Sequence, residues 1–246
     1  MSFKVVIPAR YASTRLSGKP LLDIAGKPMV IRVVEQAKKS GTSEIVIATD
    51  FEKIMQAAAE HNIKAVMTRM DHASGTDRIA EVAQKLGWAD DEIVVNVQGD
   101  EPLIDPQLIN EVALTLAHSR DAVMATACHA IHDEVNLLNP NIVKVVLDIN
   151  GNALYFSRAP IPYPRDQVYK QHIQAYRHIG IYAYRVGFLK QYAQLSVTEL
   201  EKIESLEQLR VLHHGYKIGV TITQYAPASG VDTQEDLDYV RSVFSG

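Results

Sequence analysis

The sequence predicts an α/β fold: a mostly parallel sheet with helices on both faces and a smaller β-rich lobe. Three observations predict it. Over about the first 100 residues, short apolar runs alternate with segments of helical period. That βαβαβαβ order builds a parallel sheet covered on both sides. From about 140 to 190 the pattern changes to β-rich runs of period two. At 246 residues and 47% hydrophobic content, the chain can bury the core of one domain spanning 1–246, with that lobe at about 140–190.

The elements follow in order. "FKVVIP" is a buried strand that runs into "IPARYASTRLSGKP", a loop carrying Arg10, Arg15 and Lys19 and no acidic residue. "KPMVIRVVEQAKK" is a helix, with Pro28 suited to a first turn and Gly41 just past the end. "EIVIAT" is a strand, "FEKIMQAAAEH" a helix and "IKAVMT" a third strand. "GTDRIAEVAQKLG" is helical, with Ile79, Val82, Ala83 and Leu86 on one face, and "EIVVNVQ" is a fourth strand. In the lobe, two β-rich runs flank Asn150-Gly151, a hairpin signal. "YRHIGIYAYR" alternates, with Ile179, Ile181 and Ala183 on one face and His178, Gly180, Tyr182 and Tyr184 on the other. "ELEKIESLEQLRVLHHG" reads as one helix ending at Gly215, "KIGVTITQY" as a late strand and "DTQEDLDYVRSVF" as a terminal helix.

Composition narrows the function. With a net charge of -4 and 22% charged residues, neither nucleic acid nor an anionic membrane is the expected partner. No apolar stretch approaches the ~20 residues of a membrane span. A lysine inside the N-terminal apolar run argues against a signal peptide. The single cysteine, Cys128 in "AVMATACHAI", cannot form an internal disulfide and is expected to fill core space in a reducing, cytoplasmic setting.

In parallel sheets ligands gather at the carboxyl ends of strands. The cationic loop, Thr49-Asp50, "RMDHASGTDR" and "QGDEP" all fall there. The first loop has neither a P-loop nor a dinucleotide glycine pattern, so it would bind phosphate with arginine forks and a lysine point charge. The plain alternative is a solvated surface loop. Asp100, directly after a buried strand, suits Mg²⁺, which takes one or two carboxylates plus phosphate oxygens; equally, it could cap a turn after Gly99. Asp232 sits where either it or Thr233 would cap the terminal helix. Arg158, at the end of an apolar strand, must find an anion or reach water. His178 reads as a contact for an anionic substrate or as a satisfied, half-buried ring. Glu207 and Gln208 fall in an amphipathic helix whose polar face is ordinarily solvated.

Taken in order, "IPARYASTRLSGKP", "MTRMDHASGTDR", "VNVQGDEPLI", "ALYFSRAPIPY", "RHIGIYAYR", "ESLEQLRVL" and "GVDTQEDL" resemble the CMP-Kdo synthetase family, the 3-deoxy-D-manno-octulosonate cytidylyltransferases of Gram-negative bacteria. The likeness runs from near residue 3 to the terminal helix. It implies a Rossmann-like nucleotidyltransferase fold and the reaction of CTP with Kdo to give CMP-Kdo and pyrophosphate, for lipopolysaccharide or capsule. It implies catalytic roles for Arg15, Lys19, Asp100 and Asp232, the two aspartates holding Mg²⁺ and the two cations neutralising the β- and γ-phosphates. For CTP it implies Ala9, Arg10, Ser13, Ser74, Gly75, Arg78 and Gln98. For the acidic eight-carbon sugar it implies Arg158, the first choice for the carboxylate, with His178, Tyr182, Glu207 and Gln208. A homodimer built partly through the lobe is also implied. One departure stands out: Ser17 replaces the family's usual proline before Gly18-Lys19-Pro20, loosening the loop. The segment between Pro164 and Tyr176 is also short against some relatives. Two other readings stay open: activation of 8-amino-Kdo or sialic acid, and a non-catalytic nucleotide sensor.

Overall fold

The computed structural model describes residues 2–11, 16–72, 74–166, 174–228 and 230–245. The first apolar run is β1 (Lys4–Ala9), with Val5, Val6 and Ile7 fully buried. A 3-10 turn at Lys19–Leu21 is entered through Gly18 at φ 63°, and a small hairpin of β2 (Asp23–Ile24) and β3 (Lys27–Pro28) follows. The expected alternation comes next: α1 (Met29–Ala37), β4 (Glu44–Thr49), α2 (Glu52–Glu60), β5 (Ala65–Met67), α3 (Gly75–Lys85) and β6 (Ile93–Asn96). Asp105 caps α4 (Pro106–His118) by accepting from the Gln107 amide, and Pro106 takes a first-turn position that needs no amide. The run holding Cys128 is β7 (Ala122–Ile131); a short α5 (Glu134–Leu138) leads to the hairpin of β8 (Lys144–Leu147) and β9 (Ala153–Ser157). Then come β10 (Ala175–Arg185), α6 (Val186–Tyr192), α7 (Glu199–Glu204), α8 (Gln208–His213), β11 (Lys217–Ile222) and α9 (Gln234–Ser245).

The main sheet runs β11-β7-β10-β6-β1-β4-β5, with β8 pairing to β10 and β9 to β8. It is parallel except at β10 and β9. Here the structure refines the expected lobe. β10 starts there, pairing with β8 at Tyr176 and Arg177, but its last residues, Tyr182 to Arg185, lie between β6 and β7 in the centre of the sheet. Between Ile179 and Tyr182 the register against β7 shifts by two residues. A shift of two preserves which face each side chain takes, so the alternation read from the sequence survives it. Ile179, Ile181 and Ala183 join the apolar layer under α1 and α4, whereas Tyr182 and Tyr184 join the opposite layer with α3 and α6. Thr126 fills the irregularity by donating to the Ile179 and Ile181 carbonyls at 3.0 and 2.7 Å.

The single helix expected over 199–215 is instead two. Thr198 and Glu201 form a capping box that starts α7, and Ser205 ends it at φ 51°. Leu206 then turns into the core, and α8 restarts in a new direction. The break costs little because a buried leucine offsets one left-handed residue. A third apolar cluster joins Ile24 and Met29 to Val231, Leu237 and Val240, docking the start of α9 beside the first loop. Among the described residues no helix is long and apolar enough to cross a membrane.

Candidate active site

Chain order reverses direction at β1: β4 and β5 lie to one side of it and β6 to the other. The crevice outside the carboxyl ends at such a switch point is where open α/β sheets bind ligands. The loop after β6 reaches it by passing under β1. Gly99 makes that possible, since a Cβ there would lie 2.6 Å from the Pro8 carbonyl oxygen. The turn is closed by the Glu101 amide on the Gln98 carbonyl, so the Asp100 side chain is not needed as a cap. The Val231 amide donates to the Asp100 carbonyl at 2.8 Å, and the fully buried Val231 anchors the start of α9. The cap of that helix is Thr233, whose hydroxyl accepts from the Asp236 amide while Asp236 accepts from the amides of Asp232 and Thr233. Asp232 is thereby released from capping. Its Oδ1 lies 3.0 Å from Lys19 Nζ, which also meets Asp100 Oδ2 at 2.6 Å. Burial would depress the Lys19 ammonium, but the two aspartates outweigh it and hold its pKa above the ordinary value. Burial and the neighbouring Asp100 charge push Glu101 up to about 8.

The same loop, through Gln98 two residues before Asp100, helps line a cavity of about 300 Å³. Gln98 leads into it from the Asp100 loop, Gly75 and Thr76 from the start of α3, Asn96 from β6, Tyr182 and Tyr184 from β10, Tyr192 from α6, and Glu207 and Gln208 from the α7–α8 corner. Two of its polar atoms, Asn96 Oδ1 and Gln208 Nε2, are buried with no hydrogen-bond partner among the described residues. Unpaired buried polar atoms are costly, so they mark a surface built to receive a polar ligand. Partial burial holds the Glu207 carboxyl above its usual range; Arg210 and Arg10 pull it the other way. Arg210 pairs with Glu201 through two nitrogens and lies 4.7 Å over the Tyr192 ring, which fixes that wall.

A family model described as cytidylyltransferase matches residues 4–218. The chain belongs to the cytidylyltransferase family. A 3-deoxy-manno-octulosonate cytidylyltransferase of Herminiimonas arsenicoxydans is 58% identical over 251 residues, spanning all of both chains. A solved CMP:2-keto-3-deoxy-manno-octonic acid synthetase complexed with CTP superposes with a TM-score of 0.91 at 44% identity, covering 99% of this chain and 98% of that one. A cytidylyltransferase of Leptospira borgpetersenii, at 17% identity and a TM-score of 0.64 over 99% of this chain and 86% of that one, shares the fold.

In this cytidylyltransferase the expected site residues divide into three groups. Lys19, Asp100 and Asp232 meet directly, and Gly75, Gln98, Tyr182, Glu207 and Gln208 share the cavity. Ala9 ends β1 at the crevice, and the exposed Arg10 follows it with its charge felt at Glu207. A second group is committed to the protein itself. Ser74 is the cap of α3, in a reciprocal box with Asp77. Arg78 is fully buried, donating to Asp50 at 2.7 Å and to Thr68, so it braces the ends of β4 and β5, while its Nε has no partner among the described residues. Arg158 rests against backbone carbonyls. Its guanidinium donates to the carbonyls of Glu204, Pro140 and Ser205, and its amide to the Glu204 carboxylate. In this structure its guanidinium, partly exposed, is held by the α7–α8 corner. His178 is a half-buried ring held by the sheet: its Nε2 lies 3.0 Å from the Thr126 hydroxyl, and burial pushes its pKa down to about 3. The third group, Ser13 and Arg15, lies outside the described residues.

Sequence reasoning missed Asn96, Thr76, Tyr192 and the close approach at Gly99. Asn96 left a signal, a lone amide inside the apolar run "IVVNV". Tyr192 left none, since an aromatic on a short helix reads as core.

Proposed function

We propose that this cytidylyltransferase activates 3-deoxy-manno-octulosonate with CTP, releasing pyrophosphate. Its full-length likeness to a 3-deoxy-manno-octulosonate cytidylyltransferase and to a synthetase complexed with CTP supports the reading. The observation that carries it is the meeting of Asp100 and Asp232 at one cation, with Asp100 on the loop that also helps line a polar cavity.

Those two carboxylates fit Mg²⁺. Mg²⁺ takes one or two carboxylates and completes its shell with phosphate oxygens and water. When bound, the ion supplies positive charge at the phosphate and eases proton loss from a hydroxyl beside it. The chain's own residues do the remaining work. Asp100 and Asp232, anchored by the Val231 amide, set where the α-phosphate meets the sugar. Glu207, Gln208, Tyr182 and Asn96 hold the sugar hydroxyls, so that its anomeric oxygen faces the phosphorus in line with the leaving pyrophosphate. Such a transfer depends on positioning and charge stabilisation more than on covalent help from protein groups. The cationic first loop offsets the charge that builds on the leaving group. The enzyme acts as a cytoplasmic homodimer joined partly through the lobe; a groove of about 450 Å³ between α5 and the lobe, where Leu137, Leu138 and Tyr163 lie beside Asp133 and Glu134, supports this.

The test is pyrophosphate release with CTP, Mg²⁺ and a panel of Kdo, 8-amino-Kdo and sialic acid. Release with Kdo that stops when any one component is omitted is expected. Asp100→Ala should abolish it with the circular dichroism spectrum unchanged. Turnover on sialic acid alone, or tight CTP binding without turnover on any sugar, overturns the assignment.

A further inference from the structure

We propose that Lys19 is a built-in place-holder for the divalent cation: without metal its ammonium holds Asp100 and Asp232 together, and metal binding releases it to the triphosphate. The inference rests on the reading above that these aspartates form the metal site.

The geometry carries it. Lys19 Nζ sits within hydrogen-bond distance of one oxygen from each aspartate, the point two metal-binding carboxylates would share. The side chain is 12% exposed, so the ammonium is committed to that position and not simply solvated. Asp100 and Asp232 keep 34% and 44% of their side chains exposed, and a cation where they converge relieves their mutual repulsion. An ammonium supplies one charge and a divalent ion two, and both cannot lie within about 3 Å of the same oxygens without strong like-charge repulsion. Occupancy is therefore exclusive.

The backbone is built for such an exchange. Gly18 in the left-handed region and the buried Pro20 anchor the 3-10 turn, which leaves the flexible four-carbon stem as the moving part. Once displaced, the ammonium has the metal-bound triphosphate as its nearest new anion. Metal loading and phosphate neutralisation become one coupled event, and the lysine is withheld from phosphate until the metal has arrived. A purely structural salt bridge would instead persist with metal bound.

The experiment measures binding of Mn²⁺ alone, without nucleotide, by electron paramagnetic resonance and calorimetry. Lys19→Met removes the competing charge and should bind Mn²⁺ about tenfold more tightly or better, with a larger rise in Tm on adding Mn²⁺. Equal or weaker binding by Lys19→Met overturns the place-holder. Asp100→Asn separates the two levels of the argument. If it binds Mn²⁺ as the wild type does, the metal reading itself fails. If it loses Mn²⁺ while Lys19→Met matches the wild type, only the place-holder fails. Should Lys19→Met not fold, amine labelling of the wild type decides: Mn²⁺ should raise acetylation at Lys19, and unchanged labelling overturns the proposal.

Discussion

A methyl group at position 99 would press on the Pro8 carbonyl at 2.6 Å, against backbone that cannot yield as a side-chain end could. Gly99→Ala must therefore push the Asp100 loop away from β1. We expect a loss of about 1–3 kcal/mol in urea denaturation and a fall in kcat of about tenfold or more from misplaced Asp100; an active, equally stable variant would refute the account. His178 carries a second single-residue prediction. Burial keeps its ring neutral down to about 3, against roughly 6.5 in an unfolded chain. Between those values the unfolded chain takes up a proton that the folded protein refuses, so stability falls as pH drops through that window. His178→Gln keeps a polar partner for Thr126 and should flatten that part of the curve of denaturation midpoint against pH. An unchanged slope would mean that the ring is protonated in the folded protein.

The elements matter mainly through their ends. Helix α3 presents Gly75 and Thr76 to the cavity because Ser74 and Asp77 cap one another's amides. Ser74→Ala should cost about 1 kcal/mol and raise KM for CTP more than it lowers kcat, which denaturation and steady-state kinetics would separate. The α7–α8 corner is built the same way. The capping box at Thr198, the left-handed Ser205 and the buried Leu206 turn Glu207 and Gln208 toward the cavity, and Arg158 ties down the carbonyls of that corner from β9. Lys144 does similar work in the lobe, fully buried and donating to the carbonyls of Asn139, Ile142 and Arg158.

For the molecule as a whole, the proposed homodimer has a direct check. Val135 and Leu138 stand exposed on α5 and Tyr163 on the lobe, so light scattering should report twice the chain mass, and Leu138→Asp should shift it toward the monomer; a monomeric wild type would remove the dimer from the account. The main sheet, the hairpin at Asn150-Gly151 and the placing of the polar loops at one sheet edge were legible in the sequence, because period, turn residues and strand ends are local properties of the chain. So was the pairing of Asp100 with Asp232, through ordered motifs resembling one family. Spacing alone could not decide what each polar group touches. Whether Arg158 meets a sugar carboxylate or a carbonyl, whether Asp232 or Thr233 caps α9, and which side chain fills the gap between two aspartates depend on neighbours far away in the chain. Only packing brings those neighbours within hydrogen-bond distance, and burial then makes each unpaired group too costly to leave alone.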